Sequence, residues 1–212
     1  MRVIAIDGPA GAGKSTLARA LAVRLGLPYL DTGAQYRAVA VAAARRGVEL
    51  DDAAAVAHVA ESMALDLVGD VLILDGEDVT AAIRTPEASQ GASRVAVVPA
   101  VRRVLQQRQR SWAAEHGGGV AEGRDMGTVV FPDAVVKVFV TASVAERAQR
   151  RAAQTGEDPA VVAVSIAERD RRDAERVEDP MGAAGDAVVI DTSGRTVEDV
   201  VDDVCALLEA RT

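Results

Sequence analysis

The octapeptide Gly8-Pro9-Ala10-Gly11-Ala12-Gly13-Lys14-Ser15 constrains this chain more than any other stretch. It fits G-x-x-x-x-G-K-[ST] without adjustment, and its flanks suit it. A short apolar run, Val3 to Ile6, precedes it as a buried strand. A helix follows from Lys14, with Leu17, Leu21 and Leu25 on one face and Gly26 as its stop. Glycines let the backbone curl until several N–H groups face one point, and the helix N-terminus adds positive potential. The expectation is a nucleoside triphosphate cradle built by Gly8 to Ser15, with Lys14 reaching the β- and γ-phosphates and the Ser15 hydroxyl on Mg²⁺. Lys14 and Lys137 are the only lysines among 24 basic residues. A lysine kept at the loop of an arginine-rich chain points to a role that the planar guanidinium does not fill.

Short apolar runs alternate with helical stretches over the rest of the chain, the pattern of an α/β protein with a mostly parallel sheet. Tyr29-Leu30 forms a second strand ending in Asp31, and 34–46 a helix closed by Gly47. Asp51 and Asp52 cap a helix reaching Met63. The pattern then changes: Leu65 to Val68 and Val71 to Leu74 flank Gly69-Asp70, a two-residue hairpin signal, and Asp75-Gly76 leads to a third short strand near Val79. Residues 64–95 therefore read as an antiparallel insert in a single domain whose core is 1–63 and 96–212. Val120-Ala121 and Val135 to Val140 are further strands, and Val188 to Ile190 is the last. Residues 143–153 and a highly charged 160–178 are helices separated by a break at 155–159, and Thr196 with Asp199 forms a capping box for a terminal helix.

The chain's 212 residues carry a net charge of −8, which argues against broad binding to nucleic acid or anionic membrane. A lone Cys205 excludes an internal disulfide and a cysteine metal cluster, and with His58 and His116 the only histidines the composition argues against a zinc site. No apolar run approaches membrane-spanning length, so the expectation is a cytoplasmic protein. The sequence contains no asparagine, which removes the Asn-Lys-x-Asp guanine reader of GTPase switches. A small phosphoryl-transfer enzyme needs an acceptor site and cations over the transferred phosphate instead.

Those cations are present. Arg169, Arg172 and Arg176, with Asp173, lie within three or four residues of one another, and Arg147, Arg150 and Arg151 precede the break. Together they suggest a lid over phosphates at about 147–176. Asp31-Thr32-Gly33-Ala34-Gln35-Tyr36-Arg37 follows the second strand, at the carboxyl edge where open α/β sheets bind ligands. Thr32 suits the start of the next helix and Arg37 an anionic phosphate. Glu122-Gly123-Arg124-Asp125-Met126-Gly127-Thr128 places both charges in a glycine-flanked loop.

These segments, with Ile83-Arg84-Thr85-Pro86-Glu87, resemble the bacterial cytidylate kinase family in order from residue 3 to about 208, the stretch 122–134 being the most specific. The resemblance implies a P-loop kinase fold: a five-stranded parallel sheet, an antiparallel β-containing acceptor-binding insert and a short lid. It implies ATP-dependent phosphorylation of CMP and dCMP, with UMP poor, Mg²⁺ as the metal, and a monomer. Carried onto matching positions, Gly8 to Thr16 bind ATP. Thr32, Arg37, Arg124 and Arg176 hold the acceptor phosphate, with Tyr36 beside them. Ser93, Arg102 and Asp125 contact cytosine, Arg169 and Asp173 approach the ribose, and Arg147, Arg150 and Arg151 close over the donor phosphates, with Lys14, Arg124 and Arg172 as further catalytic cations. Thr32 stands where Ser can occur and keeps the hydroxyl for the phosphate; Glu122 in place of Asp is a tolerable variation. The competing readings are another small-metabolite P-loop kinase, adenylate- or shikimate-type, and a non-catalytic ATP-binding regulator.

Overall fold

The computed structural model describes residues 1–68 and 71–211. Its first half runs β1 (Arg2–Asp7), α1 (Lys14–Leu25), β2 (Tyr29–Asp31), α2 (Thr32–Arg45), α3 (Ala53–Ser62), β3 (Leu65–Val68), β4 (Val71–Leu74), β5 (Glu77–Asp78) and α4 (Pro86–Val95). Then come α5 (Pro99–Glu115), β6 (Gly118–Glu122), β7 (Val136–Thr141), α6 (Val144–Thr155), α7 (Pro159–Ala174), β8 (Val188–Asp191) and α8 (Val197–Glu209). The chain folds as two compact units, Met1–Asp31 with Arg110–Thr212, and Thr32–Gln109.

The first unit holds a five-stranded parallel sheet in the order β2-β6-β1-β7-β8. Both faces of β1 are buried, and alternation sorts them. Ile4 and Ile6 meet Leu17 and Leu21 of α1 and Val200, Val204 and Leu208 of α8. Val3 and Ala5 face the other way, with Leu30, Ala121, Ala113, Met126 and Phe131. Gly119 is obligatory in β6: a Cβ there would lie 2.7 Å from Pro28 O and 2.8 Å from the Trp112 ring.

The second unit carries the antiparallel sheet β3-β4-β5, with Leu65 opposite Leu74. Its core joins Val39 and Ala42 of α2, Val56 and Val59 of α3, Leu72 and Leu74 of β4, and Val101 and Leu105 of α5. Because α2, α3 and α5 share that core with the hairpin, the compact unit is wider than the stretch where the patterning changes. The expected Gly69-Asp70 turn lies outside the described residues. The third strand is Glu77–Asp78, just before the expected position; buried Val79 extends its pairing through an N–H donated to Leu72 O at 2.9 Å.

Two local expectations are corrected. The charged helix stops at Ala174 and does not reach 178. Asp173 O, the next helical acceptor, takes Met181 N–H at 2.8 Å and Arg176 Nε at 3.2 Å, so the chain leaves the helix before Arg176. The segment Met126–Val130, following Glu122, forms one π-helical turn that the hydrophobic spacing does not signal. Among the described residues no helix is long and apolar enough to cross a membrane.

Candidate active site

The loop between β1 and α1 is shaped by positive φ at Gly8, Gly11 and Gly13. Side chains are excluded there as well: a Cβ on Gly8 would meet Val140 O at 2.1 Å, and one on Gly11 would meet Arg147 O at 2.9 Å. Gly13 is the N-cap of α1 and offers no side-chain cap, so the first-turn N–H groups of a 12-residue helix are left for another acceptor. Lys14 is buried and folds back to donate from Nζ to Pro9 O at 2.7 Å. Burial, then the charges of Arg124 and Arg169, pull its ammonium down to about 7, against the attraction of Glu122 and Asp7. Cations are thus concentrated at the loop in an acidic chain.

Acidic groups end the neighbouring strands. Glu122, at the end of β6, is buried and accepts from the Tyr29 hydroxyl and from the Ser15 hydroxyl. Burial and the nearby Asp31 charge push its carboxyl up, while Lys14 pulls the other way. Tyr29 is itself pushed up, by burial and by Glu122, and Arg19 lies 4.7 Å over its ring. Asp7, the last residue of β1, accepts the N–H groups of Met126 and Gly127 at 2.8 Å each. Those two bonds, with Arg110 donating to Val129 O at 2.9 Å and Val130 O at 3.1 Å, fix the π-helical turn and hence Asp125 at its N-cap.

Arg124, Arg169 and Arg176 converge on Asp173. Arg124 Nε donates to its Oδ2 at 3.0 Å, and Arg169 Nε lies 3.9 Å from the same oxygen. Burial opposes the Asp173 charge, but the fields of Arg124, Arg169 and Arg176 outweigh it and hold the carboxyl below its ordinary range. The helix α6 brings two more arginines to the loop. Arg147 is spent on Ala142 O, Ala10 O and Asp170. Arg150 bonds to Thr192 and Glu146, and its Nη1 lies 3.8 Å from where a Gly13 Cβ would stand. Arg151 and Arg172 are half-buried.

In the second unit Thr32 begins α2 and is buried, with Tyr36 and Arg37 one turn on. Arg102 of α5 is fully buried and donates to the Tyr36 hydroxyl at 3.4 Å. Ser93 of α4 is buried, and its Oγ has no hydrogen-bond partner. A buried hydroxyl is rarely left so unless something else completes it. Three residues that the motif reading did not assign, Asp7, Glu122 and Tyr29, thus shape the site. An acidic residue closing a strand at its carboxyl edge is the signal that marks the first two.

The profile of the cytidylate kinase family matches residues 4–210. The chain belongs to the cytidylate kinase family. Among curated relatives, the cytidylate kinase of Solibacter usitatus (strain Ellin6076) is 46% identical over 99% of this chain and 93% of its own length. The bifunctional pantoate ligase/cytidylate kinase of Synechococcus sp. (strain JA-2-3B'a(2-13)) is 49% identical over 97% of this chain, which spans only 40% of that longer protein. A gluconokinase structure from Sinorhizobium meliloti 1021 superposes with a TM-score of 0.53 at 16% identity, covering 99% of this chain and 92% of its own, and shares the fold. As a member of a kinase family, the chain binds nucleotides, with ATP as co-substrate.

Proposed function

We propose that this chain transfers the γ-phosphoryl group of ATP to the 5′-phosphate of CMP or dCMP, giving ADP and CDP or dCDP. One observation carries the reading: in a cytidylate kinase family chain, the uncapped N-terminus of α1 and the buried Lys14 face one glycine-shaped loop. An acceptor phosphate oxygen forms the new P–O bond as the bond to the β-phosphate bridging oxygen breaks. The acceptor monoester is mostly dianionic at neutral pH, so no general base is needed. Positioning and charge neutralisation do the work.

Within Gly8 to Thr16, the backbone N–H groups from Gly11 onward and the Lys14 ammonium hold the donor, with Arg150, Arg151 and Arg172 supplying further charge from a lid at about 147–176. Mg²⁺ fits this site: it takes most of its ligands from phosphate and water, and the Ser15 hydroxyl beside Glu122 offers one more. When bound, it would neutralise developing phosphate charge. Thr32, Tyr36, Arg37, Arg124 and Arg176 hold the acceptor phosphate, and Arg169 with Asp173 the ribose. The insert at 64–95 belongs to the acceptor side. Ser93, Arg102 and Asp125 read the base, and the orphan Ser93 Oγ supports a ligand there. A carboxylate accepts from the cytosine amino group and repels the uracil carbonyl, which makes UMP poor. The proposed setting is a cytoplasmic monomer with no nucleic-acid or membrane partner, working in pyrimidine nucleotide metabolism. Another small-metabolite acceptor or a non-catalytic regulator is not favoured.

The test is ADP release from Mg-ATP against CMP, dCMP, UMP, AMP and shikimate. Fast release with CMP and dCMP alone is expected. Release only with AMP or shikimate would move the acceptor, and ATP binding without release would leave a regulator.

A further inference from the structure

The phosphate loop is held from outside at Ala12, whose carbonyl accepts from Thr192 Oγ1 at 3.2 Å, and through both backbone polar groups at Ala10. Its N–H donates to Asp170 Oδ1 at 3.0 Å, and its carbonyl accepts from Arg147 Nη1 at 2.9 Å. Its methyl group packs with Ala148 and Ala152 of α6 and Val162 and Ile166 of α7. Arg147 and Asp170 close the ring by pairing with each other, and Arg147 Nε is anchored on Ala142 O at 3.0 Å. Side-chain exposures of 7% for Arg147 and 17% for Asp170 keep water from competing strongly. Both backbone polar groups of one loop residue are therefore clamped by a single, largely buried ion pair.

We propose that Asp170 is a positioning residue for the donor nucleotide, fixing the curl of the phosphate loop through Ala10 and Arg147. The inference rests on the reading of Gly8 to Thr16 as the ATP site. A loop ordered before binding spares ATP the entropy of ordering it, so affinity is gained without any contact between Asp170 and the ligand. Removing the carboxylate frees Ala10 N–H and leaves the Arg147 guanidinium buried without its counter-charge. The acceptor side should hold, because Asp173 anchors the next turn of α7 independently through Arg124.

The experiment compares the wild-type chain with Asp170→Ala and Asp170→Asn by ATP-binding calorimetry, steady-state kinetics and thermal unfolding. Asp170→Ala should raise the ATP Kd and KM about tenfold or more, with the CMP KM within about twofold. Asp170→Asn keeps an oxygen for Ala10 N–H and should fall between the two. Unchanged ATP affinity in a folded Asp170→Ala chain overturns the proposal, and so does an equal rise in both KM values, which would mean general loosening. If the alanine variant does not fold, the asparagine variant decides alone: a selective rise in ATP KM supports the clamp, and no rise overturns it. A wild type that fails to bind ATP overturns the phosphate-loop reading itself, and this inference with it.

Discussion

Lys14 and Asp7 show how burial sets the chemistry of single side chains at the end of β1. With its charge pulled down by burial and two arginines, Lys14 gains most when a developing phosphate charge arrives. Lys14→Ala should therefore cut turnover by about two or more orders of magnitude while the CMP KM moves only a few-fold, measured by steady-state kinetics. Asp7 makes the opposite case. Burial, reinforced by Asp125, pushes its carboxyl from 3.8 to about 6, against the Met126 and Gly127 N–H groups and Lys14. A carboxyl raised on folding contributes stability that is full below its unfolded value and lost as pH rises through about 6. The stability of wild type relative to Asp7→Asn should therefore grow by about 1 kcal/mol as pH falls from about 7 to 5, read by urea unfolding. A flat difference would mean that Asp7 is not the titrating group. The sequence places Asp7 right after an apolar run, but not the fact that it serves a turn 119 residues away.

Helix ends are where local chemistry was most readable. The capping box at α8 forms as the spacing predicts: Thr196 Oγ1 accepts from Asp199 N–H at 3.2 Å, and the Asp199 carboxylate takes Thr196 N–H at 3.1 Å. Thr196→Ala should lower stability by about 1 kcal/mol in thermal or urea unfolding, without altering ATP or CMP KM. The strands of the parallel sheet were equally legible, since runs such as Val136 to Val140 can only be satisfied by burial on both faces. The π-helical turn was not, because its geometry is imposed by Asp7 and Arg110 and not by its own Val129-Val130. The premature end of α7 was equally hidden: the decisive partner of Asp173 O is the N–H of Met181, beyond any helical repeat.

At the scale of the whole chain, each of the two units has its own core, built from small aliphatic residues in place of aromatics. Leu105 is fully buried in the core of the second unit. Leu105→Ala should lower stability by about 2–5 kcal/mol, checked by the urea midpoint at unchanged slope. The sequence by itself determined the phosphate loop, the α/β order and the capped helix ends, because each depends on neighbours within a few residues and on backbone freedom written into glycine. Only the tertiary structure decided what each arginine holds: Arg147 clamps Ala10, Arg150 bonds to Thr192, and Arg124 joins Arg169 and Arg176 on Asp173. A long cationic side chain reaches any partner within several ångströms, and that partner is set by packing between elements far apart in the chain.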